Sequence, residues 1–183
     1  MNRNNSQLKA GVVLNYVTIF LNLVIGLVYT PYLLRMLGQE EYGLYSLAAS
    51  VIAYLTVLDL GFGNAIVRYT SKFIAEGKKR AAEEMYGMFW VMYLVVGVVA
   101  MAAGGLLAVN ADTVFGANMS DYEVGRMRLI LWIMTFNLAF SFPMSIWESI
   151  LMAHERFVFI RVVKILRTLL NPLVMLVLLF FGY

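Results

Sequence analysis

The sequence predicts an all-α fold, a polytopic bundle of five transmembrane helices, and three observations carry that reading. Of its 183 residues 62% are apolar and only 14% are charged, where soluble domains run to about 45–50% and about 25%. Mean hydropathy is +0.78, and the apolar residues gather into runs of membrane-crossing length. The cations fall overwhelmingly into every second connection between those runs. A soluble fold of this size would expose too much apolar surface, which excludes an ordinary soluble enzyme, a disordered chain and a collagen-like rod. With no cysteine, a disulfide framework and any thiolate-held zinc or iron–sulfur centre are excluded too.

A bilayer-crossing helix needs about 20 mostly apolar residues. Residues 8–34, 43–67, 85–109, 127–152 and 162–183 each supply them. The first contains the run VVLNYVTIFLNLVIGLVY, too long and continuous for the alternating segments of about 10 residues that build membrane barrels. Arg3 and Lys9 ahead of it could belong to a signal peptide, but the apolar stretch outruns an h-region and no small-x-small cleavage site follows. A retained helix is expected. Along it Asn15, Thr18, Asn22, Gly26 and Tyr29 form a polar stripe at helical spacing.

The second stretch ends in LDLGFGNA, which holds Asp59. Its GFG lacks the third glycine and the βαβ context of a nucleotide-binding loop, so it is expected to loosen or end the span. Arg68, Lys72, Lys78, Lys79 and Arg80 follow in a connection expected to form an interfacial helix near anionic headgroups. In the third stretch Ala100 and Gly104 make a small-xxx-small pair suited to close helix contact. The fourth places Asn137, Ser141, Ser145 and Glu148 on one face, with Pro143 among them removing a backbone donor and favouring a kink. The fifth opens with Arg161, Lys164, Arg167 and Asn171 on one broad flank. Those long cationic stems either snorkel to the headgroups or dock the phosphate of an anionic lipid.

Orientation follows from the cations. With a cytoplasmic N-terminus the inside segments hold Arg3, Lys9, Arg68, Lys72, Lys78, Lys79, Arg80, Arg156, Arg161, Lys164 and Arg167, eleven of the fourteen. Only Arg35, Arg126 and Arg128 remain outside, a strong positive-inside bias. Tyr42, Tyr45, Tyr69, Tyr86 and Trp90 sit near the expected interfaces, where amphipathic rings anchor helices.

Of the eleven acids only Asp59 and Glu148 fall within spans, where an acid costs about 2.5–3.5 kcal/mol on insertion. Each is either a structural ion pair or cap, or a proton or cation site or gate in an aqueous cavity. The polar stripes are likewise either interhelical hydrogen-bond glue or the wall of a cavity. Two stripes together with a buried acid favour the cavity. Catalysis is not expected. There is one histidine, His154, so no metal site forms, and Ser141 and Ser145 have no base at a suggestive position. No cofactor and no nucleic-acid partner are expected.

Residues 33–79 resemble the N-terminal signature of polysaccharide-export flippases in the multidrug/oligosaccharidyl-lipid/polysaccharide exporter superfamily. The matching features are Arg35 with Leu37-Gly38, Glu41-Tyr42-Gly43-Leu44-Tyr45, Leu58-Asp59-Leu60-Gly61 and Arg68-Tyr69. Pro143 to Phe157, ending in His154-Glu155-Arg156-Phe157, resembles the family's fourth-span exit. The resemblance implies a two-lobe transporter of twelve to fourteen helices. It would move an undecaprenyl-diphosphate-linked oligosaccharide across the bacterial inner membrane by alternating access, with polysaccharide-assembly proteins as further partners. Residues 1–183 would be an incomplete N-terminal transmembrane lobe, as the odd span count and the abrupt end at FFGY also lead one to expect. Arg35, Lys164 and Arg167 would line a cationic cavity, with Arg68 at the inner gate. Asn22 and Asn137 would join the substrate site, and Asp59 and Glu148 would be gating or ion-coupling acids. Two other readings stay open: a cation-coupled multidrug exporter, against which the basic flank of the fifth span argues mildly, and a non-transporting scaffold, which needs no water-accessible cavity.

Overall fold

The computed structural model describes residues 2–180, and the side chains of residues 11–117 and 119–174. Among them every regular element is helical, as the apolar runs require. Helix α1 runs Asn2–Leu55 and is broken only at Gly38 (φ 83, ψ 169), a backbone conformation essentially confined to glycine. Pro31 lies inside it. The expected connection between the first two apolar stretches is therefore one non-helical residue rather than a loop.

The stretch 43–67 is not a single helix. A 3₁₀ turn, Thr56–Asp59, follows α1. Leu60 (φ 49) and Gly61 (φ 72) then take left-handed conformations in succession, and α2 starts afresh at Phe62–Ala75. Two left-handed residues in a row cannot continue a right-handed helix, so the glycine-containing motif ends the span as expected, six residues before the sequence boundary at Val67.

Helix α2 closes with Gly77 at φ 69. Lys78 N donates to Phe73 O at 3.0 Å and Gly77 N to Ile74 O at 3.2 Å, the paired bonds of a Schellman cap. The basic connection is thus mostly helix. Helix α3 (Lys79–Val109) follows, then the short α4 (Ala111–Phe115) and a 3₁₀ turn, Gly116–Asn118. Helix α5 spans Asp121–Ala153 with Pro143 inside, and α6 spans Phe157–Phe180. Three helical stretches, Gly11–Ala75, Lys79–Val109 and Asp121–Ala153, are long and apolar enough to cross a membrane. The fifth expected span, 162–183, begins in α6, and its last residues lie outside those described.

The chain forms two compact units, residues 1–39 with 151–183, and residues 40–150. In the first, α1 and α6 meet where Gly11 lies against Phe157; a Cβ on Gly11 would stand 3.0 Å from the Phe157 Cβ. Most of its large apolar side chains are exposed, including Phe20, Leu23, Leu27 and Leu169, the surface that a lipid-facing helix presents.

In the second unit α3 and α5 pack closely. Tyr93, Gly97, Ala100, Gly104 and Ala108 of α3 are buried, as are Met127, Leu131, Thr135, Leu138, Phe142, Ile146 and Ser149 of α5. These spacings of three and four residues make one continuous seam. Within lipid, such a seam is held by close contact rather than by exclusion of water. A Cβ on Gly104 would lie 2.2 Å from Thr135 Oγ1, and one on Gly97 would lie 2.7 Å from the Ala139 carbonyl oxygen. Pro143 explains the second contact. It lacks the N–H that would bond the carbonyl four residues back, so the Ala139 oxygen is freed and Gly97 approaches it.

Candidate functional site

Where α1 ends, the left-handed turn at Leu60–Gly61 brings the start of α2 onto α3. The Phe62 ring meets Tyr93 edge-on at 6.0 Å and Phe89 at 6.4 Å. The same turn leaves Asp59 half-buried beside the Tyr93 hydroxyl, which also neighbours Ser145 and the backbone of Gly63. Tyr93 is fully buried, and its hydroxyl makes no hydrogen bond of good geometry with these neighbours. Thr70 Oγ1, Thr135 Oγ1 and Arg128 Nε are buried without a partner in the same way. Gly63 keeps room at this point: a Cβ there would stand 3.1 Å from Ser149 Oγ and 3.9 Å from the Tyr93 oxygen. The serines are oriented by their own helix. Ser145 Oγ donates to Phe142 O at 2.7 Å, and Ser149 Oγ donates to Ser145 O at 3.3 Å.

The opposite end of this unit is built from charge pairs. Ser120 N and Oγ both donate to Glu123, at 2.7 and 2.8 Å, while Glu123 N reaches Ser120 Oγ at 3.4 Å. This is the reciprocal capping box of an S-x-x-E start. One turn on, Arg126 Nε donates to the Tyr122 hydroxyl at 3.0 Å, and that hydroxyl donates to Glu41 Oε1 at 3.0 Å. Arg126 also lies 3.7 Å from Glu41 and 5.3 Å over the Tyr122 ring. Arg128 pairs with Asp112. Two of the three cations that break the positive-inside pattern are therefore matched by acids.

The expected site residues divide between the two units. Asn22, Arg35, Lys164 and Arg167 belong to the first, where Asn22, Arg35 and Arg167 are exposed and Lys164 is half-buried. Asp59, Arg68, Asn137 and Glu148 belong to the second; Arg68 and Asn137 are exposed, and Asp59 and Glu148 half-buried. The polar stripes are largely satisfied locally. Thr18 Oγ1 donates to Leu14 O at 2.8 Å, Asn22 Nδ2 to Thr18 O at 2.9 Å and Ser141 Oγ to Leu138 O at 2.7 Å. Such back-bonding uses the polar proton without any neighbouring helix. Sequence reasoning missed Tyr93, which sits in an apolar run, and Glu41 with its α5 partners. The S-x-x-E pattern at 120–123 was there to be read.

Apolar helices of bilayer length packed through a glycine-lined seam are the features of a helical membrane protein. The family described as polysaccharide biosynthesis protein matches residues 8–183, and the chain belongs to that family. This agrees with the resemblance to the N-terminal portion of polysaccharide exporters. No curated protein and no solved structure matches it.

Proposed function

We propose that the chain forms part of a flippase that carries a lipid-linked oligosaccharide or polysaccharide precursor across the bacterial inner membrane by alternating access, with its N-terminus cytoplasmic. The observation that carries this reading is the family match over residues 8–183 in a chain with several membrane-length helices. A diphosphate headgroup entering a membrane protein needs cations that remain charged, and guanidinium pairs with phosphate through two parallel donors. Arg35, Arg68, Lys164 and Arg167 fill that role, with the Asn22 and Asn137 amides for sugar hydroxyls. Asp59 and Glu148 act in gating or ion coupling. No bond of the cargo is made or broken, so the protein is not an enzyme.

The test is deletion of the gene, with complementation by the full protein. Surface polysaccharide should disappear in the deletion strain and lipid-linked units should accumulate on the cytoplasmic face. Complementation with Lys164→Ala plus Arg167→Ala should restore surface polysaccharide only weakly. Unchanged surface polysaccharide in the deletion strain overturns the reading.

A further inference from the structure

Charge is divided unevenly between the two units. Residues 1–39 and 151–183 hold seven of the fourteen Lys and Arg, with Glu155 as their only acid. Residues 40–150 hold the other seven together with ten acids. The cations of the first unit therefore have almost nothing of their own to pair with. Six of them gather where α1 and α6 begin. Arg3 and Lys9 precede Gly11, which lies against Phe157, and Arg156, Arg161, Lys164 and Arg167 adjoin or follow Phe157.

Depth along α6 separates the last four. The membrane-length helix α5 ends at Ala153 and α6 starts at Phe157, so the turn between them lies at a membrane surface. A headgroup layer is about 5–8 Å thick on each side of the hydrocarbon core. At the rise of a helix Arg161 stands about 6 Å along α6, whereas Lys164 and Arg167 stand about 10 and 15 Å along, beneath that layer. Arg156 and Arg161 are thus at the depth of lipid phosphates, apart from the cations assigned to the cargo. Arg156 is exposed and Arg161 half-buried, and neither has an ion pair among the described residues. A half-buried guanidinium without an anion is unfavourable, and guanidinium pairs with phosphate through two parallel donors. On the same helix Phe159, Val162, Val163 and Leu166 are exposed. A free phosphate would use the cations alone. A molecule with an anionic head and apolar tails uses both, and basic groups at the ends of membrane helices attract such headgroups.

We propose that Arg156 and Arg161 hold the phosphate of an anionic phospholipid of the bilayer, whose acyl chains lie along the exposed apolar side chains of α6. The site is separate from the cargo cations and does not depend on what the protein transports. Purified full-length protein is placed in phosphatidylcholine nanodiscs with increasing phosphatidylglycerol and unfolded thermally. The midpoint should rise saturably with phosphatidylglycerol, and the rise should shrink at high salt, which screens exposed charges. Arg156→Gln and Arg161→Gln should each weaken the apparent affinity for phosphatidylglycerol about fivefold, in keeping with the attraction of one cation to an anionic surface. Equal midpoints at every lipid composition overturn the site, with no variant required. A rise that is unchanged in Arg156→Gln overturns it as well, and this variant at an exposed position suffices where Arg161→Gln fails to fold. Inorganic diphosphate that produces the full rise in pure phosphatidylcholine reassigns the cations to a soluble anion. Undecaprenyl diphosphate that produces it where phosphatidylglycerol does not reassigns them to the cargo. Either result removes the phospholipid.

Discussion

The two ends of the unit formed by residues 40–150 are built on opposite principles. Where α5 begins, three acids are engaged: Glu123 with Ser120, Glu41 with Tyr122 and Arg126, and Asp112 with Arg128. Where α2 begins, a half-buried acid without a counter-charge stands beside the buried Tyr93 hydroxyl, which makes no hydrogen bond of good geometry. Between them runs the same α3–α5 seam. Paired groups at an exposed helix start hold architecture and contribute little each, because water screens them. An unsatisfied group in a packed interior is unfavourable by about 1–3 kcal/mol, so its retention is a sign of use.

That contrast is broken most directly by charge-removing variants at the two ends. Asp59→Asn should lower transport of lipid-linked substrate by tenfold or more (about 1.4 kcal/mol or above) with little change in thermal midpoint. Glu41→Gln should leave transport close to wild type and reduce stability by about 1 kcal/mol or less, since its partners stay solvated. Side-by-side transport and melting measurements decide the matter. Equal transport losses at both ends would erase the distinction.

The seam gives the next largest effect and separates two kinds of crowding. Gly104→Ala and Gly97→Ala should each destabilise the protein by about 1–3 kcal/mol, the usual range for overpacking. The obstacles differ, however. At Gly104 the obstacle is the Thr135 side chain, and at Gly97 it is a backbone oxygen. Thr135→Ala should therefore rescue Gly104→Ala, whereas no side-chain change at residue 139 should rescue Gly97→Ala. Double-mutant melting measures both.

Ser120→Ala tests the paired end more gently. It removes the hydroxyl half of the capping box and should lower stability by about 1 kcal/mol, again with transport intact. This prediction was available from sequence, because S-x-x-E before an apolar run is a local signal. So were the small residues of α3 and the chain break in the LDLGFG motif, since glycine spacing and left-handed preference are properties of short segments. Glu41 with Tyr122 was not legible: 81 residues separate them, and nothing in either segment names the other. Tyr93 was hidden for a related reason. Within an apolar run a tyrosine reads as a buried ring, and whether its hydroxyl finds a partner depends on Asp59, Ser145 and Ser149, which reach it from two other segments. The stripes misled in the opposite direction. Helical spacing placed Thr18 and Asn22 on one face correctly, but their bonds return to the same helix, and spacing carries no information about where a proton goes.

The smallest effect lies in the connection between α2 and α3, at the other end of α2 from Asp59, where the acid is exposed and paired. Glu76 accepts from Lys78 at 2.7 Å and has Lys72 at 3.9 Å. Its carboxyl is held below the ordinary value of 4.5, first by the Lys78 hydrogen bond, which outweighs an opposing desolvation, and then by the charges of Lys78 and Lys72. A carboxylate with a lowered folded-state pKa binds fewer protons when folded than when unfolded, so its stabilising contribution is complete above 4.5 and disappears as pH falls through the folded value. The wild-type midpoint should therefore approach that of Glu76→Gln as pH is lowered below 4.5, while the two differ by a small constant amount from pH 6 upward. A gap that persists at the acid end would assign the contribution to packing by the Glu76 side chain. A gap that closes would confirm that an exposed acid, once paired, stabilises the fold in the same modest way as those at the start of α5. Asp59 would then stand apart because it lacks a counter-charge and is half-buried.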